Sequence, residues 1–151
     1  MLTITSRAES SLSPERVLEL ARDFSPQREK VWTNGKTRYL EVHESGEQFA
    51  DVTEGGVVTG LFWERSSYDW SQPGMVRATV TASNVFAPGS TWEVRAARRD
   101  GGSSVEMILH RGFQRGLKGR IGALLNHTAG KWFAWDQYLR RALATGEKQA
   151  T

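Results

Sequence analysis

The sequence predicts an α+β domain in which an antiparallel sheet of about seven strands packs on a long C-terminal helix. Three observations favour this fold. A strand-like first segment is followed by two Ser-Pro pairs, which are typical of helix starts. Turn-forming pairs then divide residues 34–113 into runs of strand length. From Leu117 onward, apolar residues recur every three or four positions, as on one face of a helix.

Composition places the chain among single globular domains. Of its 151 residues, 38% are hydrophobic and 25% are charged, which provides enough apolar surface for one core. We expect one domain over residues 1–145 and a short C-terminal tail over residues 146–151. Cysteine is absent, so disulfides and thiolate metal sites are excluded.

The N-terminal sequence carries no sign of a targeting segment. Its first residues, MLTITSRAES, contain no basic stretch followed by an apolar run. Elsewhere, too, no stretch approaches the roughly 20 apolar residues that cross a bilayer. We therefore expect a cytoplasmic protein without a membrane span.

Basic residues concentrate in one segment, HRGFQRGLKGR, which contains Arg111, Arg115, Lys118 and Arg120. The net charge of the whole chain is only +3, which indicates no more than a weak preference for acidic partners. The segment could contact phosphates, or it could be a solvated connection. We favour the solvated connection because charge runs usually face water, so nucleic acid is not an expected partner.

Local sequence accounts for the first strand and the two short helices. Ile4 and Ala8 alternate with polar residues, which is the pattern of a half-buried strand. In SPERVLELARDF, Ser13 can cap a helix and Pro14 fits its first turn. The same pair returns at Ser25 in SPQREKVW, so we expect a second short helix directly after the first.

Six further strand-like runs follow, and the turns between them are short. The runs cover residues 36–44, 47–53, 57–69, 75–86, 90–98 and 104–113. The connecting sequences QPG and APG suit type II turns, because proline presets the first central residue and glycine tolerates the positive φ of the second. Short turns between consecutive strands predict an antiparallel meander.

Alternation within these runs predicts which side chains face inward. The predicted inner residues are Val76, Ala78, Val80, Ala82, Asn84 and Phe86, then Trp92, Val94 and Ala96, and finally Val105, Met107 and Leu109. The run from Val57 leaves two registers open. One register places Glu64 and Tyr68 inside, and the other places Arg65 there.

The last predicted element is a helix from about Leu117 to Ala144, roughly 40 Å long at 1.5 Å per residue. Its apolar face comprises Leu117, Ile121, Leu124, Leu125, Thr128, Trp132, Trp135, Leu139 and Leu143. A one-faced antiparallel sheet needs an apolar partner. We therefore expect this whole face, with Trp132 and Trp135, to pack against the sheet.

The order of elements resembles the helix-grip fold of the START-related SRPBCC superfamily, and in particular its polyketide cyclase/dehydrase branch. The paired Ser-Pro helix starts, WERSSYDW leading to QPG, NVFAPGSTWEV and GLKGRIGALL carry the resemblance, which covers nearly the whole chain. It implies a sheet wrapped around the terminal helix, with a cavity between them for a hydrophobic or aromatic small molecule. The glycine-rich loop of the plant pathogenesis-related branch and the iron ligands of the oxygenase branch are missing.

Within such a cavity, the sequence supplies candidate walls and candidate polar groups. The expected ligand-binding residues are Trp63, Asn84, Trp92, Val94, Met107, Trp132 and Trp135. The candidate catalytic residues are Asn84, Tyr68 and His127. For Asn84 we favour a hydrogen-bond partner on a neighbouring backbone or side chain. The three histidines lack metal-ligand spacing, so we expect neither a metal nor a cofactor.

Three functional hypotheses remain open at this point. The first is a protein that binds a hydrophobic, lipid-like or polyketide-like molecule. The second is an enzyme of the polyketide cyclase or dehydratase type that uses the same pocket. The third is a protein with a collapsed cavity that acts through surface contacts. Polar groups that converge on an open cavity would favour the enzyme, and a filled interior would favour the third hypothesis.

Overall fold

Seven strands make up the sheet in the computed structural model, which describes residues 1–33, 36–57, 62–127 and 131–151, with the side chains of residues 56, 57 and 131–133 left out. The strands are β1 (Leu2–Ser10), β2 (Glu41–Ser45), β3 (Phe49–Val57), β4 (Phe62–Asp69), β5 (Met75–Ser83), β6 (Thr91–Arg99) and β7 (Gly102–Arg111). The helices are α1 (Pro14–Ala21), α2 (Arg28–Val31), α3 (Leu117–His127) and α4 (Lys131–Gln149), with a short 3₁₀ helix at Thr37–Tyr39.

Strands β2 to β7 form an antiparallel meander, and β1 is added to the sheet beside β7. The strand order of the sheet is β1-β7-β6-β5-β4-β3-β2, so consecutive strands are neighbours and the first strand lies beside the last. In that closing pair, Ile4 lies opposite Leu109. The predicted α+β fold, with about seven antiparallel strands, two short helices after the first strand and a long C-terminal helix, is confirmed.

The two Ser-Pro pairs act differently. The hydroxyl of Ser13 accepts a hydrogen bond from the backbone N–H of Arg16 at 3.2 Å, which caps α1 as predicted. The hydroxyl of Ser25 accepts from the backbone N–H of Gln27 at 3.3 Å and forms a local turn instead. Helix α2 begins only at Arg28 and has a single turn.

The core lies between the inner face of the sheet and helices α1, α2 and α4. Most of the side chains predicted to face inward on β5, β6 and β7 are buried; these are Val76, Ala78, Val80, Trp92, Val94, Ala96, Val105, Met107 and Leu109. On α4, Leu139 and Leu143 are buried, as their helical spacing predicted.

A β-bulge shifts the predicted face at the end of β5. Ser66 pairs with Val80, but Arg65 pairs with Ala82, so β5 carries one extra residue at this point. Because an extra residue reverses the alternation, Ser83 is buried where Asn84 was expected to face inward. The prediction that Asn84 lies on the inner face is therefore wrong.

The predicted apolar face of the terminal helix is only partly buried. In α3, the side chains of Leu117, Ile121, Leu124 and Leu125 are exposed, contrary to prediction. Helix α3 instead buries Gly119 and Gly122. A Cβ atom on Gly122 would collide with the Val85 side chain, so the helix approaches the sheet with its glycine face. Thr128 falls outside the described residues, and so does the side chain of Trp132.

Helix α4 continues past its predicted end at Ala144 to Gln149. Its last turns contact the start of the chain, since a Glu147 carboxylate oxygen accepts hydrogen bonds from Ser10 Oγ at 2.8 Å and from the Ser11 backbone N–H at 3.3 Å. Residues 146–149 are thus helical rather than part of a tail. Among the described residues, no helix is both long enough and apolar enough to cross a membrane.

Burial in α4 and exposure in α3 predict opposite effects of the same substitution. Leu139→Ala should lower the free energy of unfolding by about 2 to 5 kcal/mol, because it opens a cavity in the core. Leu124→Ala should change it by less than about 0.5 kcal/mol, because that side chain faces solvent. Urea denaturation at equilibrium measures both values. Equal losses in the two variants would contradict the orientation of α3.

Candidate functional site

A cavity of about 330 Å³ lies between the inner face of the sheet and helices α3 and α4. Most of its wall is apolar and includes Trp32, Phe62, Val85, Phe86, Trp92 and Trp135. Polar or charged residues also line it; these are Arg28, Glu54, Glu64, Tyr68, Arg111, Asn126 and Tyr138. The interior is therefore open, with polar groups gathered on one part of an apolar wall.

Aromatic rings hold α2 and α4 in place along this wall. Trp32 meets Trp92 edge to face, with ring centroids 5.2 Å apart, and its indole N–H donates to the carbonyl oxygen of Leu20 at 2.9 Å. Tyr138 on α4 lies 5.5 Å from Trp32 and 5.4 Å from Trp135. Such pairs prefer fixed geometries, so this side of the cavity is preorganised.

The first polar group is the buried Arg28 cluster, formed by Arg28, Glu54 and Tyr68. Arg28 Nε donates to Glu54 Oε1 at 2.5 Å, and Nη2 donates to the Tyr68 hydroxyl at 2.9 Å. Nη1 donates to the carbonyl oxygens of Ala21 and Asp23, both at 3.1 Å. Burial alone would lower the pKa of Arg28, but the Glu54 carboxylate raises it, so the net shift is upward and the guanidinium stays charged.

Tyr68 completes this cluster by donating its hydroxyl hydrogen to Glu54 Oε2. Burial raises the pKa of Tyr68 well above its ordinary value, and the nearby Glu54 carboxylate adds to the shift. Burial likewise raises the pKa of Tyr138. Both phenols are therefore neutral at physiological pH, and Tyr68 acts as a hydrogen-bond donor.

The second polar group is the loose pair of Arg111 and Glu64. Arg111 is only 5% exposed, and its guanidinium lies 4.3 Å from the centre of the Phe86 ring. Its Nη1 stands 3.5 Å from Glu64 Oε2. Among the described residues, Arg111 Nε and Nη1 have no hydrogen-bond partner. Burial raises the pKa of Glu64, although the Arg111 charge opposes the shift.

The structure selects one of the two registers left open for β4. Glu64 and Tyr68 face the cavity. Arg65 faces outward, where its Nε donates to Asp51 Oδ1 at 2.9 Å.

The predicted site residues are distributed over three places. Trp92, Trp135, Tyr68 and Trp63 line the cavity, although Trp63 is 41% exposed. Val94 and Met107 are fully buried in the packed core. The Trp132 side chain lies outside the described part of the structure.

Asn84 and His127 stand apart from the polar groups of the cavity. Asn84 Oδ1 accepts a hydrogen bond from the Trp63 backbone N–H at 3.0 Å, so the amide has a partner within the protein, as the sequence favoured. His127 is exposed on α3, and its ring centre lies 6.1 Å from that of Phe113. Within the described ranges, no cluster of histidine, aspartate and glutamate has the geometry of a metal site.

Sequence reasoning missed Arg28, Glu54 and Arg111. Arg111 was assigned to the solvated basic segment, yet it continues the inward alternation of Met107 and Leu109 on β7. This alternation in β7 could have predicted that Arg111 faces inward. The positive charge of Arg111 led to the opposite prediction. Arg28 had no comparable signal, because a single helical turn shows no periodicity.

Removal of the Tyr68 hydroxyl tests the buried Arg28 cluster. The proton on Tyr68 contributes stability that is fully present below about pH 10 and is lost at higher pH, because the folded protein holds it more tightly than the unfolded chain. Tyr68→Phe should lower the free energy of unfolding at neutral pH by about 1 to 3 kcal/mol. It should also make the alkaline loss of stability less steep. Urea denaturation at pH values on both sides of about 10 measures both effects.

The matched control for Tyr68→Phe is Ser67→Ala, which removes an exposed hydroxyl from the same strand. It should leave the stability at neutral pH unchanged within about 0.5 kcal/mol. If Tyr68→Phe behaves like this control, the hydroxyl does not stabilise the cluster.

Comparison with known proteins places the fold. Neither a protein-family model nor a curated protein sequence matches the chain. Among solved structures, the Zhui aromatase/cyclase from Streptomyces sp. R1128 matches with a TM-score of 0.79 at 12% identity, over 99% of this chain and 96% of that one. A START superfamily protein from Mycobacterium smegmatis matches with a TM-score of 0.72 at 10% identity, over 99% of each chain.

A third match is a major latex-like protein from Panax ginseng, with a TM-score of 0.68 at 9% identity over 99% of this chain and 97% of that one. At such low sequence identity, similarity of structure establishes the fold but not the function. The fold is thus the helix-grip fold of START-related proteins, in a form that an aromatase/cyclase also adopts, as the sequence resemblance predicted.

Proposed function

We propose that the protein binds a hydrophobic small molecule, lipid-like or polyketide-like, in the cavity between the sheet and the C-terminal helices. The single observation that carries this proposal is a buried arginine with unpartnered donors beside an apolar cavity. A volume of about 330 Å³ lies at the lower end of the range of small-molecule pockets. The wall is mainly aromatic and aliphatic, which favours an apolar ligand body.

The environment of Arg111 indicates that the ligand carries an oxygen acceptor at one end. The Nε and Nη1 groups of Arg111 are buried without hydrogen-bond partners, and each such group lowers stability unless something accepts its hydrogen. A carboxylate, carbonyl or enolate oxygen on a ligand would accept a hydrogen bond from one of these nitrogens. Arg28, by contrast, already donates to four oxygens within the protein. The ligand therefore binds with its oxygen at Arg111 and its apolar part along Trp92 and Trp135.

A second candidate function, a polyketide cyclase or dehydratase, is favoured by Glu64. Its raised pKa and its position 3.5 Å from the Arg111 guanidinium suit a group that moves a proton next to an oxyanion. In this alternative, Arg111 stabilises the enolate while Glu64 removes or returns the proton. Tyr68 is committed to Glu54 and has a supporting role. The third hypothesis, a protein with a collapsed cavity, is disfavoured because the cavity is open.

Native mass spectrometry of the purified protein, before and after incubation with an extract of its own host, tests the binding proposal. A reproducible mass increment is the expected result. A ligand that leaves unchanged supports a binding protein, and one that leaves transformed supports an enzyme. Absence of any increment in repeated trials would contradict both proposals.

Replacement of the loose pair separates binding from stability. The double variant Arg111→Met/Glu64→Gln removes a poorly compensated buried charge together with its half-buried partner, so the ligand-free protein should gain about 1 to 4 kcal/mol in free energy of unfolding. Its affinity for the captured ligand should fall at least about tenfold, because the oxygen loses its donor. Urea denaturation and titration by native mass spectrometry measure the two effects.

The matched control replaces the exposed pair Arg98 and Glu15, whose Nη2 and Oε1 atoms are 2.9 Å apart. Arg98→Met/Glu15→Gln should leave ligand affinity unchanged, because this pair lies at the surface, away from the cavity. Full ligand affinity in Arg111→Met/Glu64→Gln would refute the role given to Arg111.

A further inference from the structure

Helix α3 presents an apolar stripe to solvent. The stripe consists of Leu117, Ile121, Leu124 and Leu125, whose exposed fractions are 75%, 40%, 67% and 57%. Their spacing of four, three and one places them on one face of the helix, within about 100° of arc. Single exposed apolar side chains are ordinary, but four on one face of an 11-residue helix form a continuous patch.

Packing on the opposite side holds the stripe outward. Gly119 and Gly122 are buried, and a Cβ on Gly122 would collide with Val85 and approach the Phe113 ring. Rotation that turned the leucines inward would bring large side chains to the place where only glycine fits. The outward stripe is therefore a consequence of close packing by the inner face.

Basic residues border the stripe on both sides. At 100° per residue, Lys118 lies next to one edge of the stripe and Arg120 next to the other, and Arg115 directly precedes the helix. All three residues are exposed. Between Glu106 and Asp136 the sequence contains no aspartate or glutamate. The apolar patch is thus bordered by exposed basic side chains.

We propose that α3 is a membrane-docking helix that lies in the surface of an anionic lipid bilayer. Apolar residues on one face with Lys and Arg at its borders are the features of interfacial helices. The leucines would enter the boundary between headgroups and acyl chains, and the basic residues would contact lipid phosphates. A second copy of the chain fits less well, because a two-fold contact would bring Lys118 and Arg120 of both copies together.

The docking helix also borders the cavity. Gly122, Leu125 and Asn126 contribute to the cavity wall, and Leu125 is at the same time part of the exposed stripe. A bilayer that covers the stripe would therefore face the cavity at this side. The proposal goes beyond ligand binding, and it can be tested without any ligand in the cavity.

The first test is sedimentation of the intact protein with vesicles. Wild-type protein should bind vesicles of equal parts phosphatidylcholine and phosphatidylglycerol, and it should bind pure phosphatidylcholine at least about tenfold more weakly. Leu117→Ser/Leu124→Ser should weaken binding to the mixed vesicles at least about tenfold. The control Val42→Ser/Phe49→Ser, which removes two exposed apolar side chains from β2 and β3, should bind like the wild type.

The second test concerns the charges that border the stripe. Lys118→Gln/Arg120→Gln should weaken binding to the mixed vesicles roughly 25-fold, at about fivefold for each charge. Arg141→Gln/Lys148→Gln, which makes the same change in net charge on α4, should leave binding unchanged. Since all substituted side chains are exposed, circular dichroism should show the same thermal midpoint for every variant.

Several results would overturn the proposal. One is a failure of the wild-type protein to sediment with the mixed vesicles. Another is equal binding of the wild-type protein to both vesicle compositions. Equal loss in the control variants would also overturn it. Self-association that Leu117→Ser/Leu124→Ser abolishes would assign the stripe to a second copy. Binding to a DNA duplex that only Lys118→Gln/Arg120→Gln weakens would assign the charges to nucleic acid.

Discussion

The buried charge of Arg28 is the constraint on which the shape of the cavity depends. A guanidinium in an apolar interior is tolerated only when its donors are satisfied, and here the acceptors come from the end of α1, from Glu54 on β3 and from Tyr68 on β4. The short helices must therefore sit over these strands. Trp32 lies directly after α2 and meets Tyr138 on α4, so the same placement fixes one wall of the cavity. The position of a single arginine thus links β3 and β4 to the terminal helix.

The two buried arginines differ in how completely the protein compensates them. Arg28 has a carboxylate at 2.5 Å and further bonds to a phenol and to carbonyl oxygens, so it needs nothing from outside. Arg111 has a carboxylate at 3.5 Å, and its Nε and Nη1 have no hydrogen-bond partner within the described residues, so its compensation is incomplete. An arrangement that lowers the stability of the empty protein is expected where binding or chemistry has been favoured over stability. This contrast, rather than the number of polar groups in the cavity, distinguishes the structural cluster from the candidate site.

Local signals were sufficient for the fold and insufficient for much of the site. Turn sequences and alternation predicted the meander, because each strand has one buried face. The bulge that moved Asn84 off the inner face depends on pairing between β4 and β5, which no single run of residues contains. Periodicity placed Leu124 correctly on one face of a helix, but only the glycines opposite it decide that this face points outward. Arg111 was predicted to face solvent because it is charged, although the alternation along β7 places it on the inner face.

The glycines of α3 have an energetic consequence for access to the cavity. Glycine inside a helix costs about 1 kcal/mol relative to alanine, and isolated helices shorter than about 12 residues are marginal in water. Helix α3 has 11 residues, and two of them, Gly119 and Gly122, are buried glycines that contribute little apolar area. Segments of this kind unfold locally at a much lower free energy than the core. Because α3 contributes to the cavity wall, local unfolding of this one helix would widen access to the cavity while the sheet stays folded.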